Sequence, residues 1–220
     1  QQMELAYKGK SIKGRSITDL KKLINQGEGL RLEFKFKAKY PEKIIREMVA
    51  FANTKGGQLL VGVDDDGSLN GLKFADEEEY VLVREIEREI TPDLEYSIER
   101  VRLQNENEIL IFHIPESEDK PYKASDKVYV RHKDRTIQAS KEIREILKGL
   151  KKGKSLRFNY GDKESKLMAY LTENTTITVE SFAKLCDIPK KQASRTLVLM
   201  VLTNVLRYEA REDGDRFMLV

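Results

Sequence analysis

Apolar and polar residues alternate from Leu30 to Lys37, with Leu30, Leu32, Phe34 and Phe36 interleaved with Arg31, Glu33, Lys35 and Lys37. This is the period-two pattern of a half-buried strand. It predicts a core face and a charged face, with Glu33 exposed beside Arg31, Lys35 and Lys37, and with Glu28 in the Gly-flanked turn before the strand. Upstream, Ser16 and Asp19 mark an N-cap, and Leu20, Leu23 and Ile24 form a helical stripe that stops at Gly27. Residues 1–15, polar and Lys-rich with Gly9 and Gly14, predict an irregular arm. Downstream, Pro41 suits the first turn of a helix whose Ile44, Ile45, Met48 and Ala52 share one face. That helix ends at Asn53-Thr54-Lys55-Gly56-Gly57, and residues 58–63 read as a central strand closed by the turn Asp64-Asp65-Asp66-Gly67.

A third helix is predicted over residues 76–90, stopped before Pro92, followed by strands near 94–103 and 108–114 that form a hairpin around Asn105. Short strands at 128–131 and 136–138 and a helix over 141–150, capped by Ser140, complete a first domain spanning residues 1–150. Residues 151–162 read as a basic linker. Gly149-Leu150-Lys151-Lys152-Gly153-Lys154-Ser155 mimics a phosphate loop, but it is one residue short and follows a helix instead of a strand, so ATP binding is not expected. Over 163–220 the pattern is three helices and a hairpin, which resembles a winged helix-turn-helix. Asp187-Ile188-Pro189 forms the turn before the candidate recognition helix, whose first residues include Lys190, Lys191, Gln192, Ser194 and Arg195. Side chains there are placed to meet base edges or phosphates.

Composition narrows the class. Charged residues make up 35% of the chain at a net charge of +3, which predicts a soluble globular protein and permits nucleic acid without demanding it. Residues 160–220 carry nine Lys and Arg against nine Asp and Glu. Phosphate binding by that segment therefore requires its charges to segregate by face. The single Cys186 excludes an internal disulfide framework and a CxxC zinc site, and fits a reducing, cytoplasmic setting. No apolar stretch reaches the roughly 20 residues needed to span a bilayer, so no membrane partner is expected. His113 and His132 lack metal-ligand spacing and read as structural.

The ordered motifs Glu28, Leu32-Glu33-Phe34-Lys35, Asn53-Thr54, Gly56-Gly57, Gly62-Val63-Asp64-Asp65 and Gly71 resemble the Schlafen-type AlbA-like domain of bacterial proteins described as DNA-binding. Lys120-Pro121-Tyr122 and Val128-Tyr129-Val130-Arg131 extend the likeness, which covers about residues 15–150. The resemblance implies an α+β fold with a mixed sheet, here followed by the small winged helix. For function it implies nucleic-acid binding, with DNA or RNA as partner and a DNA-binding transcriptional regulator as the leading reading. Lys35, Lys37, Arg131 and Lys133 are then candidate phosphate contacts, with Tyr122 and Tyr129 beside them. In animal Schlafens the same domain type is linked to metal-dependent RNA cleavage by three carboxylates. By motif match these fall on Glu28, Glu33 and Asp65, which suit Mn²⁺ or Mg²⁺ as a cofactor. A homodimerising scaffold is the third reading, because the run from Leu197 to Leu202 is wider than one core face needs.

Overall fold

In the computed structural model the described residues are 9–152 and 156–220; the first part of the N-terminal arm and residues 153–155 of the linker and the phosphate-loop mimic lie outside them. The fold is α+β, and the chain packs as two units, residues 1–136 and 137–220.

In the first unit the order is β1 (Lys10–Ile12), α1 (Ile17–Ile24), β2 (Leu32–Lys35), α2 (Pro41–Asn53), β3 (Gly57–Val61), α3 (Ala75–Glu89), β4 (Ile90–Thr91), β5 (Ser97–Arg102), β6 (Glu108–Ile114), β7 (Lys123–Ala124) and β8 (Tyr129–His132), with β9 (Arg135–Gln138) crossing into the second. Five strands form a mixed sheet in the order β1-β5-β6-β3-β2. β2 runs parallel to β3 with Leu32 opposite Gln58 and Lys35 opposite Val61, and β5 and β6 form the expected antiparallel hairpin. The arm is not wholly irregular: Lys10–Ile12 pairs in parallel with β5.

Helices cover both faces of the sheet, which explains how β2 can alternate and still be buried. Leu32 and Phe34 pack under Leu20 and Ile24 of α1, together with Leu60, Ile109 and Ile111. On the other face α2 and α3 cover Leu59, Val61, Leu110, Phe112 and Ile114. Glu33 points to this second, covered face, so it is 7% exposed and not on a solvated surface as the alternation alone predicts.

The free edge of β2 is closed by the loop that precedes it. In a parallel pair alternate residues direct their backbone groups outward, and here two of these groups find partners: the Leu32 carbonyl accepts from Gly29 N at 2.9 Å, and Phe34 N donates to Glu28 Oε1 at 2.9 Å. At the far end of α2, Asn53 is 1% exposed and acts as a buried bracket. Its Nδ2 donates to the carbonyls of Tyr122 and Tyr129, and its Oδ1 accepts from Tyr122 N at 2.7 Å. The neighbouring Thr54 Oγ1 accepts from Arg131 N at 2.9 Å. Helix α2 thus fixes where β8 runs.

The second unit contains α4 (Lys141–Lys152), α5 (Asp162–Glu173), α6 (Val179–Cys186), α7 (Lys190–Leu202), β10 (Leu206–Glu209) and β11 (Arg216–Leu219). Its core joins Ile146, Leu167, Leu171, Phe182, Leu197, Met200 and Phe217. Because Ile146 belongs to it, α4 packs here and the division falls before the expected break at residue 150. The width of the apolar run in α7 has the same origin: α5 and α6 share a core with one side, and Gly149 of α4 approaches Leu202 so closely that an added Cβ would lie 2.6 Å from it. Ile177 pairs with Phe217 beside the β10–β11 hairpin.

Replacing Asn53 by Ala leaves three buried backbone groups without their partner. Leaving such groups unsatisfied costs about 1–3 kcal/mol each at most, so Asn53→Ala is expected to lower unfolding stability by about 3 kcal/mol, read as a lower urea midpoint at unchanged m-value.

Candidate functional site

Where the start of β2, the middle of α2 and β8 converge, five charged side chains meet. Arg131, 4% exposed, lies at the centre. Its Nη2 donates to the Gly29 carbonyl at 3.0 Å and to the Glu33 carboxylate, its Nη1 donates to Thr136 Oγ1 at 3.0 Å, and its guanidinium sits 5.0 Å from the centroid of the Phe51 ring. The second oxygen of Glu33 accepts from Lys35 Nζ at 3.2 Å, and the same ammonium reaches Glu47 Oε1 of α2 at 2.8 Å. Glu28 closes the group against Glu33.

Three of these side chains, Glu28, Lys35 and Glu47, are shifted for physical reasons. Burial pushes the Glu47 carboxyl up to about 7, with the neighbouring Glu33 charge adding to it and Lys35 opposing; its Oε2 has no hydrogen-bond partner. Burial also raises Glu28, opposed by the Phe34 N–H and reinforced by Glu33. Lys35 loses charge stability by desolvation, but Glu47 and Glu33 outweigh that and raise its pKa. A separate network lies on the opposite side of the sheet, where Glu99 binds Arg15 Nε at 2.8 Å and His113 Nε2 at 2.7 Å. Burial alone would raise Glu99, and these bonds bring it down to about 2. His113 is structural in this setting.

The three carboxylates expected to hold Mn²⁺ or Mg²⁺ do not assemble. Glu28 and Glu33 meet, but Asp65 is exposed in the turn after β3. Parallel pairing explains the separation: residues before β2 lie at one end of the pair and residues after β3 at the other. Glu33 is also neutralised by Arg131 and Lys35. Among the described residues no group of three or more His, Cys, Asp or Glu side chains could hold a metal ion. The donor set as arranged does not fit a divalent cation.

The expected phosphate contacts divide in the same way. Arg131 and Lys35 are engaged in the buried network, while Lys37 and Lys133 are exposed, the latter at φ 52° in the turn between β8 and β9. Tyr122 and Tyr129 are 3% and 7% exposed and hence unavailable for stacking. On α7, Ser194 is buried and its Oγ bonds Glu142 Oε1 at 2.8 Å, and Lys190 pairs with Glu180 at 3.0 Å. Lys191, Gln192 and Arg195 are exposed, and among the described residues Lys191 and Arg195 form no ion pair. They stand four residues apart, on one side of the helix.

One further feature is lined by Glu28 and otherwise by residues that were not expected at a site. An open groove of about 1020 Å³ crosses the sheet at the end that α1 leaves bare. Its floor includes the cross-strand row Lys10, Ser97, His113, Gln58 and Leu32. The signal was polar residues inside otherwise apolar strands, where they read as interruptions and not as a continuous row.

Removing Arg131 leaves Glu33 buried without its main counter-charge, a change that typically costs about 3–5 kcal/mol. Arg131→Ala is expected to lose stability in that range by urea unfolding, with the Glu33→Gln/Arg131→Met pair recovering most of it. For Glu47 the sign runs the other way from an ordinary salt-bridged acid. Its folded pKa of about 7 lies above the ordinary carboxylate value of 4.5, so the folded state holds the proton longer and stability falls as pH rises from about 4.5 to 7. Glu47→Gln is expected to flatten that slope in thermal melts.

A family model described as Schlafen, AlbA_2 matches residues 28–140. Among solved structures, the chain is similar to the DIP2311 protein from Corynebacterium diphtheriae, at 18% identity and a TM-score of 0.42, over 59% of this chain and 30% of that one. The chain thus spans less than a third of that protein. It is also similar to the N-terminal domain of a protein from Nitrosomonas europaea titled as related to the ATP-dependent DNA helicase RecG, at 22% identity and a TM-score of 0.44, over 67% of this chain and 97% of that domain. No curated protein sequence matches the chain.

Proposed function

The chain belongs to the Schlafen, AlbA_2 family, and from that premise we propose that it binds nucleic acid, acting as a DNA-binding transcriptional regulator whose second unit is a winged helix-turn-helix. One observation carries the reading. α6 and α7 are separated by only Asp187-Ile188-Pro189, with Asp187 in the left-handed region at φ 49°, and α7 begins with Lys191, Gln192 and Arg195 exposed. This is the arrangement in which the first turns of a second helix are offered to the major groove. For a segment of zero net charge this places two exposed cations, Lys191 and Arg195, on one side of the helix start, while Lys190 beside them is paired with Glu180.

A homodimer on two half-sites and a cytoplasmic setting belong to the same proposal. Among the described residues no helix is long and apolar enough to cross a membrane.

The test is fluorescence anisotropy of labelled duplex DNA against KCl concentration. Each phosphate contact adds about one unit to the slope of log affinity against log salt. Lys191→Ala with Arg195→Ala is expected to lower the slope by about two units and to weaken binding at least tenfold at low salt. Undiminished slope and affinity in this variant would remove α7 from the interface.

A further inference from the structure

The loop from β2 to α2 carries a surface that neither the buried charge network nor α7 uses. Phe36 and Tyr40 are 47% and 50% exposed, against the rule that large aromatic rings contribute mainly to the core. Each ring has an ammonium beside it: Lys37 Nζ is 5.5 Å from the centroid of Phe36, and Lys39 and Lys43 are 5.4 and 5.0 Å from that of Tyr40. The loop is anchored at its centre, where Ala38 is buried and its N–H donates to Glu78 Oε2 of α3 at 2.7 Å. That bond brings the loop to the first turn of α3, and Phe74, just before that turn, is 58% exposed with Lys73 Nζ at 5.5 Å.

We infer that Phe36, Tyr40 and Phe74, with Lys37, Lys39 and Lys43, form a binding surface for single-stranded nucleic acid in the first unit. The chemistry follows from the two kinds of group. Unpaired bases expose two π-faces and stack on aromatic rings without regard to sequence, while ammonium groups beside the rings meet the phosphates that join those bases. Duplex DNA hides its base faces and would engage only the lysines. The rings also lie under cations instead of projecting as an apolar wedge, which favours a ligand that alternates flat apolar groups with charge over a lipid surface. Glu42, Asp76 and Glu77 are exposed nearby and mark where the strand would not run. Glu78, the remaining acid of that turn, is engaged by the loop backbone.

This surface shares with the α7 reading only the premise of a polyanionic ligand, and the two can fail separately. The experiment uses the full chain, a fluorescent dT20 oligonucleotide, the matching U20 RNA, a 20-base-pair duplex, and vesicles containing anionic phosphatidylserine. The wild-type chain is expected to bind dT20 or U20. Phe36→Ala/Tyr40→Ala is expected to lose at least tenfold in that affinity with duplex binding unchanged. Lys37→Gln/Lys39→Gln is expected to lower the salt slope for the single strand by about two units, and its exposed positions keep the fold intact, as an unchanged melting temperature would confirm. Tyr40→Trp, which keeps a ring, is expected to restore binding and to show fluorescence quenching on stacking. Duplex binding with equal single-strand affinity in wild type and ring variants would overturn this inference and leave the α7 reading standing. Binding to vesicles but to neither single strand nor the duplex would overturn both.

Discussion

A single guanidinium holds the first unit's edge together. Arg131 is inserted where the loop before β2, the strand itself, helix α2 and the β8 segment converge; its guanidinium donates to the loop at Gly29, to Glu33 of β2 and to Thr136 of β9. Arginine suits this position because its planar donors point in fixed directions and its flat face rests on Phe51. A lysine would supply the charge without the fork. The cost of burying that cation is offset by Glu33, and Lys35 extends the network by bridging Glu33 to Glu47 of α2. One residue in β8 is thereby linked through charge pairs to three residues in β2 and α2.

That dependence runs through the backbone as well. Asn53 and Thr54 end α2, and both bind the segment that delivers Arg131. Short polar side chains at a helix end ordinarily finish the helix itself; here they hold a passing chain 70 residues further on. The motif residues on which the family likeness rests are thus largely the residues that assemble the frame of the first unit, while the exposed rings and cations lie elsewhere, in the loop over residues 36–43 and on α7.

Much of the fold was legible in the sequence. The helices over α1, α2, α6 and α7 and the β5–β6 hairpin follow from periodicity, caps and turn residues, since these are local properties. Burial of Glu33 was not legible, because alternation reports two faces and not what covers each. Had α2 packed elsewhere, the same pattern would have left Glu33 in water. The apparent meeting of Glu28, Glu33 and Asp65 failed for a related reason: neighbouring strands were a correct reading, but only the parallel direction of the pair decides which ends coincide. Ser194 and Lys190 likewise read as surface groups until Glu142 and Glu180 occupy them from other helices.

The closure of β2 by its own loop has a consequence for how copies of this chain behave toward one another. An outer strand with unanswered amides and carbonyls offers a template on which another chain can lay a strand, and sheets grow into fibres by that route. Here Gly29 and Arg131 already occupy the outward carbonyl of Leu32, and the Glu28 carboxylate occupies the outward amide of Phe34. The other margin of the sheet is the three-residue β1. Sheet growth from one molecule to the next is thereby hindered at β2 and given little length at β1, so the exposed aromatic rings of the first unit lie beside a sheet that offers a neighbour few free backbone groups.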